Sequence, residues 1–281
     1  MDILDAHHHL WDTRHLHYSL LENIPALNRP YTMTDFETII ANHGILGSVC
    51  VEAASAGADG FQEIRWLIEQ TKRSSKVVRL VAWAPLEGGI TYDYLERLAG
   101  LSDARIVGVR RSFEFEPPDY PRREEVIEGV KAAARYGYSL DLVLYQSSLC
   151  SVIELVKSCP EVDFILDHLG KPNIRQGHES SWRELISELA QFDNITCKIS
   201  GLPSQADHEL WSREQLKPYI LYATECFGWD RVMFGSDWPV SNLAGGYRRW
   251  LETVSWAVSG YSEPLQRKLF FENAWRIYKF D

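Results

Sequence analysis

The sequence predicts an α/β fold, a (β/α)8 barrel, on three observations. Eight short apolar runs of strand type recur along the 281 residues, their starts about 24 to 45 residues apart. Amphipathic stretches with helix-end signals separate them, the alternation that builds a parallel sheet. Polar side chains able to do chemistry gather at the C-terminal ends of the runs, the end on which barrel enzymes build their sites. An open doubly wound sheet is the alternative, and it is disfavoured because no glycine-rich dinucleotide fingerprint follows the first run. With 45% hydrophobic residues and no Ser-, Gly- or Pro-rich linker, residues 1–281 are expected to form one domain.

The predicted strands are 2–6, 47–53, 77–83, 105–110, 138–144, 162–167, 194–199 and 231–235. Between the first two, Thr34-Asp35-Phe36-Glu37 reads as a capping box opening a helix over 34–42 that stops at Gly44. Asp59 precedes a helix over 61–72, in which Ile64, Leu67 and Ile68 recur at helical spacing. Helices over 123–135 and 215–226 run into Gly137 and Gly228, and one over 262–278 closes the chain. Two connections are long, 12–33 after the first strand and 114–121 after the fourth. Both fall on the C-terminal face, where they would form rims or lids.

A formal net charge of −10 argues against nucleic acid or an anionic membrane as the partner. No stretch approaches the roughly 18 apolar residues of a membrane helix. Cys50, Cys150, Cys159, Cys197 and Cys226 are widely spaced, and an odd count without a CxxC pair suits a reducing cytoplasm. A homo-oligomer stays open, since Phe270, Phe271 and Trp275 would pack either on the barrel or on another subunit.

Reading the strand ends in order gives the candidate site. His7 and His9 are two apart and share a face of the first strand, while His8 points the other way as a structural residue. The second strand ends in Glu52, and the fourth in Arg110-Arg111, neighbours of opposite parity of which Arg110 is preferred. Asp141 and Tyr145 should face inward from the fifth, since Leu140, Leu142 and Leu144 take the helix side. His168 and Lys171 follow the sixth, Lys198 the seventh and Asp237 the eighth. A buried Asp141–Lys198 pair would be purely structural. Trp11 and Trp238 flank the site and could wall it, whereas His15, His17, His43, His178 and His208 read as solvated.

At these residues the chain resembles the amidohydrolase superfamily, in the amidohydrolase-2 branch of sugar-lactone and pyrone-dicarboxylate lactonases. The matching segments are Asp5-Ala6-His7-His8-His9-Leu10-Trp11-Asp12, Gly108-Val109-Arg110, Leu166-Asp167-His168-Leu169-Gly170-Lys171-Pro172, Cys197-Lys198-Ile199-Ser200-Gly201-Leu202 and Phe234-Gly235-Ser236-Asp237-Trp238-Pro239. They occur in the family's order over essentially the whole chain. The resemblance implies a TIM barrel of the amidohydrolase type that opens a small-molecule lactone, such as fuconolactone, rhamnonolactone or galactarolactone, by hydrolysis. Asp237, His168, His7 and His9 would be catalytic, and Arg110, Tyr145, Lys171 and Trp238 would bind substrate. Two positions depart from the pattern. The strand-five metal-ligand histidine is missing, with Tyr145 offered instead, and Glu52 stands where glutamine is expected. A single zinc or manganese ion on His7, His9 and Asp237, with His168 beside them, is chemically acceptable. The branch also includes members that work without metal. A metal-dependent decarboxylase of the same branch is the alternative activity.

Overall fold

A computed structural model describes residues 1–53, 58–177 and 179–280, which leaves His178 outside it. Eight parallel strands lie in sequence order in one sheet. They are β1 (Ile3–His8), β2 (Ile45–Val51), β3 (Val77–Trp83), β4 (Ile106–Ser112), β5 (Ser139–Val143), β6 (Phe164–Leu166), β7 (Ile195–Ile199) and β8 (Val232–Phe234). The first and last strands meet just beyond their ends. Asp237 N–H donates to His7 O (2.8 Å) and His9 N–H to Trp238 O (2.7 Å). Asp5 staples the same seam, its Oδ1 accepting the N–H groups of Ser236 (2.9 Å) and His7 (3.2 Å). A barrel with helices outside it is the result, as predicted.

β1 carries an irregularity that decides where its histidines go. Asp5 is opposite Ser48 while His8 is opposite Cys50, so β1 holds one residue more than β2 between these pairs. Leu4 and Ala6 therefore pack into the barrel with Val49, Val51, Val81, Ile165 and Met233, and His7 still turns inward above them. His8 faces out as expected, stacked on Phe36 with ring centroids 3.8 Å apart and bonded to Ser48 Oγ at 3.0 Å.

Several helix ends differ from expectation. The first helix, α1 (Met33–Ile40), is capped by Thr32, whose N–H and hydroxyl donate to Asp35 at 2.8 and 2.6 Å. Two overlapping Thr-x-x-acid sets exist here, and Glu37 is drawn instead to the backbone N–H of Ser75 (2.9 Å). The next helix, α2, runs Ala58–Thr71, so Asp59 lies inside its start rather than before it. The C-terminal helix is broken by a π-turn over Lys268–Glu272. This turn buries Phe270 against Phe234 (5.4 Å between centroids), and Trp275 stacks on Phe280. These aromatics thus largely serve the chain's own barrel. Tyr278 and Phe280 plug its N-terminal end. No described helix is long and apolar enough to cross a membrane, and all five cysteines are free.

Candidate active site

Three imidazoles and one carboxylate converge at the C-terminal end of the barrel. Asp237 Oδ1 lies 3.5 Å from His9 Nε2, 3.8 Å from His7 Nε2 and 3.9 Å from His168 Nε2. The two strand-one histidines approach each other at 3.1 Å through their Nε2 atoms. Each ring is held from behind. His9 Nδ1 donates to Val51 O (2.9 Å), which leaves its Nε2 lone pair aimed into the site. His168 Nδ1 bonds Ser200 Oγ (2.9 Å), and His7 Nδ1 faces Asp167 (3.2 Å) and Lys198 (3.1 Å).

The backbone is bent to bring these groups together. After β6 the chain takes a left-handed turn in which His168, Leu169, Gly170 and Lys171 have φ of 55°, 55°, 69° and 47°. Asp237 also sits at φ 56°. Left-handed non-glycine residues cost roughly 1–2 kcal/mol each, and three of those described, His168, Lys171 and Asp237, line one cavity. Neighbours hold the turn in place, notably Trp182, whose Nε1–H donates to Leu169 O at 2.8 Å. Gly201 makes the approach of His168 possible, because a Cβ there would lie 2.5 Å from His168 Nδ1.

Beneath the imidazoles lies a buried charged ladder. Lys198 Nζ contacts Asp141 (2.5 Å) and Asp167 (3.0 Å), and Arg110 bonds Asp167 (3.0 Å), Glu52 Oε1 (2.5 Å) and Glu52 O (2.6 Å). Burial opposes charge on Asp167, yet Lys198, His7 and Arg110 hold its carboxyl well below the ordinary range. The Asp141–Lys198 pair is a fully buried part of this floor. Arg111 points away to Glu87 (2.9 Å) and Glu116 (2.6 Å), so Arg110 is the arginine that reaches the cavity.

Electrostatically, Asp237 is held in its ionised form. Burial would raise its carboxyl, but His168 and His9 outweigh that and set it below its usual value. Burial lowers His168 to about 4, against the pull of Asp237, so at neutral pH the imidazole is uncharged. His7 is likewise pushed down by burial. Neutral imidazoles and an ionised carboxylate are the forms that bind a divalent cation. His7, His168 and Asp237 present ligand atoms within 4.8 Å of one another, nitrogen and oxygen donors that suit zinc or manganese; His9, expected in that set, stands beside it, its Nε2 3.1 Å from His7 Nε2 and 3.5 Å from Asp237 Oδ1. A second acidic group, His7, Asp141 and Asp167, already surrounds the Lys198 ammonium.

Above the floor is a cavity of about 250 Å³. His9, His168, Asp237, Arg110 and Lys171 line it, and Trp11 forms part of its wall. Two expected contacts differ. Tyr145 stands outside the cavity lining and is 43% exposed, meeting the site at its edge through Glu114 and through Lys171, whose Nζ is 5.5 Å from its ring centre. β5 ends at Val143, so strand alternation no longer directs a residue two positions later. Trp238 is turned away, buried between Tyr31 and Phe36. Two groups escaped the sequence reading. Glu114 pairs with Lys171 at 2.5 Å, and the apolar residues of the first long loop face the cavity, although hydrophobic side chains there read as ordinary core.

Known proteins resemble this chain over its whole length. The protein y4mH of Sinorhizobium fredii is 29% identical over 99% of this chain and 98% of its own length. The L-fucono-1,5-lactonase of Burkholderia ambifaria is 28% identical over 99% of this chain and 96% of its own. A solved amidohydrolase from Burkholderia multivorans with bound zinc superposes with a TM-score of 0.91 at 25% identity, covering 99% of both chains. The amidohydrolase family model matches residues 4–280. With the barrel, the paired histidines and the strand-eight aspartate all in place, the chain belongs to the amidohydrolase family.

Proposed function

We propose that the chain is a lactonase, opening the ring of a sugar-acid lactone by Asp237-assisted attack of water. The observation that carries this reading is the ionised Asp237, whose carboxylate lies within 4 Å of the imidazoles of His7, His9 and His168 at the base of a cavity. Relatives named as fucono- and rhamnono-lactonases support the reaction class. The fuconolactone, rhamnonolactone or galactarolactone preference is the finer part of the proposal.

In the proposed reaction the lactone carbonyl lies over His168 and Arg110. Asp237 takes one proton from water as the water oxygen bonds to the carbonyl carbon. The tetrahedral oxyanion is met by His168 and by the Arg110 guanidinium, which has three of its five N–H groups committed to Asp167 and Glu52. One such donor is worth roughly 3 kcal/mol in the transition state. As the ring C–O bond breaks, Asp237 returns the proton to the departing alkoxide, leaving a hydroxy acid. Lys171 and Trp11 would hold the rest of the substrate. A divalent cation held by His7, His168 and Asp237, with His9 beside it, would supply a Lewis acid for the carbonyl oxygen in place of the His168 N–H.

The test is pH-indicator hydrolysis of an aldonolactone panel, run with and without a chelator. Turnover of one sugar lactone is expected, and chelator sensitivity decides whether the imidazoles hold a working metal. No hydrolysis across the panel with zinc or manganese restored overturns the lactonase and shifts the assignment to a decarboxylase.

A further inference from the structure

We propose that the lactone carries an apolar group on the saturated carbon bonded to its ring oxygen, and that the site selects for that group. The inference rests on the lactonase reading and deepens it. It comes from the cavity walls, which differ sharply in chemistry from its floor.

Leu21, Ile24 and Leu27 on the first long loop line the cavity together with Val240 and Leu243, which follow β8. These side chains offer carbon only. The loop backbone adds little, because the N–H groups of Leu21, Ile24 and Leu27 already donate to Tyr18, Leu21 and Ile24 carbonyls at 3.0, 3.0 and 2.8 Å. Polar lining among the described residues lies on the floor and on the side of the Lys171–Glu114 pair. A substrate hydroxyl pressed against the apolar wall would lose its water partners and gain none. The same wall gives an alkyl group a favourable place.

The mechanism fixes which part of the substrate meets this wall. In the proposed reaction Asp237 reaches the ring oxygen to protonate it, which assigns the saturated carbon on that oxygen, the one on the side away from the carbonyl, to the segment leaving Asp237. The cavity-lining residues of that segment are Val240 and Leu243. Towards the mouth, Leu20 and Phe115 are 40% and 67% exposed, and both line the cavity. Large apolar side chains left in solvent at the rim of an apolar wall extend the surface available to a short chain. A volume near 250 Å³, below the roughly 300–1,000 Å³ of drug-sized sites, suits one ring with a small substituent.

The experiment compares kcat/KM along δ-valerolactone, δ-hexalactone, δ-octalactone and δ-decalactone, and between fuconolactone and galactonolactone of the same hand, which differ by a terminal hydroxyl. Each added methylene is expected to raise kcat/KM about threefold to fourfold until the chain reaches the mouth. Fuconolactone is expected to exceed galactonolactone about tenfold or more. In Leu243→Asn and in Phe115→Ser, the latter on the exposed rim, the slope along the alkyl series should flatten. That slope compares substrates on the same protein, so a lower folded fraction does not alter it. Lactone hydrolysis with no rise along the series, and with galactonolactone as good as fuconolactone, overturns this proposal and leaves the lactonase standing. Failure to hydrolyse any lactone overturns both.

Discussion

At its N-terminal end the barrel interior is filled by Leu4, Ala6, Val49, Val51 and Met233, closed from below by Tyr278 and Phe280. At its C-terminal end the same strands present His7, Arg110, Asp167 and Lys198, with His168 and Asp237 held in left-handed backbone. The lower layer contributes burial, at roughly 25 cal/mol per Å² of apolar surface. The upper layer costs strain and desolvation, which its own ion pairs and hydrogen bonds must offset. One barrel thus separates stability from chemistry along its axis, and the two layers touch where Lys198 and Asp141 meet Tyr278.

The sharpest test of this division is Asp237→Asn. Removing the proton acceptor at the top should lower kcat by about 10²–10⁴-fold with little change in thermal unfolding, measured on the same preparation. The wild-type pH profile sharpens it further. Because the Asp237 carboxyl is set below its usual value, it stays ionised as pH falls through the ordinary carboxylate range near 4. Activity that depends on the base should therefore persist to that point and fall only below it. A loss already complete at pH 6 would exclude Asp237 as the base.

Lys198→Met attacks the layer boundary. It strips the cation from Asp141 and Asp167, both fully buried, and should cost roughly 3–5 kcal/mol in denaturant unfolding. An enzyme that loses activity but keeps its stability would show that the lysine belongs to the chemistry alone. Gly201→Ala tests the upper layer more gently. Its Cβ would crowd His168 Nδ1 at 2.5 Å, at a backbone φ of 63°. Displacing the imidazole should cost on the order of 10²-fold in kcat, and a variant with unchanged kinetics would show that the His168 position is not critical.

The division was partly legible in the sequence. The eight runs and the polar strand ends are local patterns, so the barrel, the outward His8 and the choice of Arg110 over Arg111 follow from them. Which face His7 takes does not, because simple alternation from the inward Leu4 and Ala6 would turn His7 outward, and only the irregularity in β1 restores it. Alternation also fails past a strand's last residue, so it does not fix Tyr145, two positions beyond β5, and adjacency to Asp237 does not by itself bring Trp238 into the cavity lining. Glu114 is reached through a loop whose path depends on tertiary contacts, and no local pattern marks it. The apolar cavity wall was written in plain view as Leu20, Leu21, Ile24 and Leu27, but the letters of a binding wall and of a core are the same.

The smallest expected effect comes from below the boundary. Tyr278 O–H donates to Asp141 Oδ2 at 2.9 Å, and it joins the plug to the charged ladder. Burial, helped by Asp167, pushes Asp141 up to about 6, while Lys198 and the Tyr278 hydroxyl favour its charged form. Tyr278→Phe removes one support of the carboxylate, so the folded-state pKa rises further. Between the unfolded value near 4 and that raised value, the folded protein binds more protons than the unfolded chain, and stability falls as pH rises through the window. The variant's penalty should therefore be larger at pH 8, about 2 kcal/mol for a bond to a charged acceptor, than at pH 5, about 1 kcal/mol for a neutral one. Urea unfolding at the two pH values reads the difference directly. Since the hydroxyl lies beneath Lys198, kcat should stay within a few-fold of wild type. A large loss of kcat at full stability would mean that the plug reaches the chemistry and that the two layers are one.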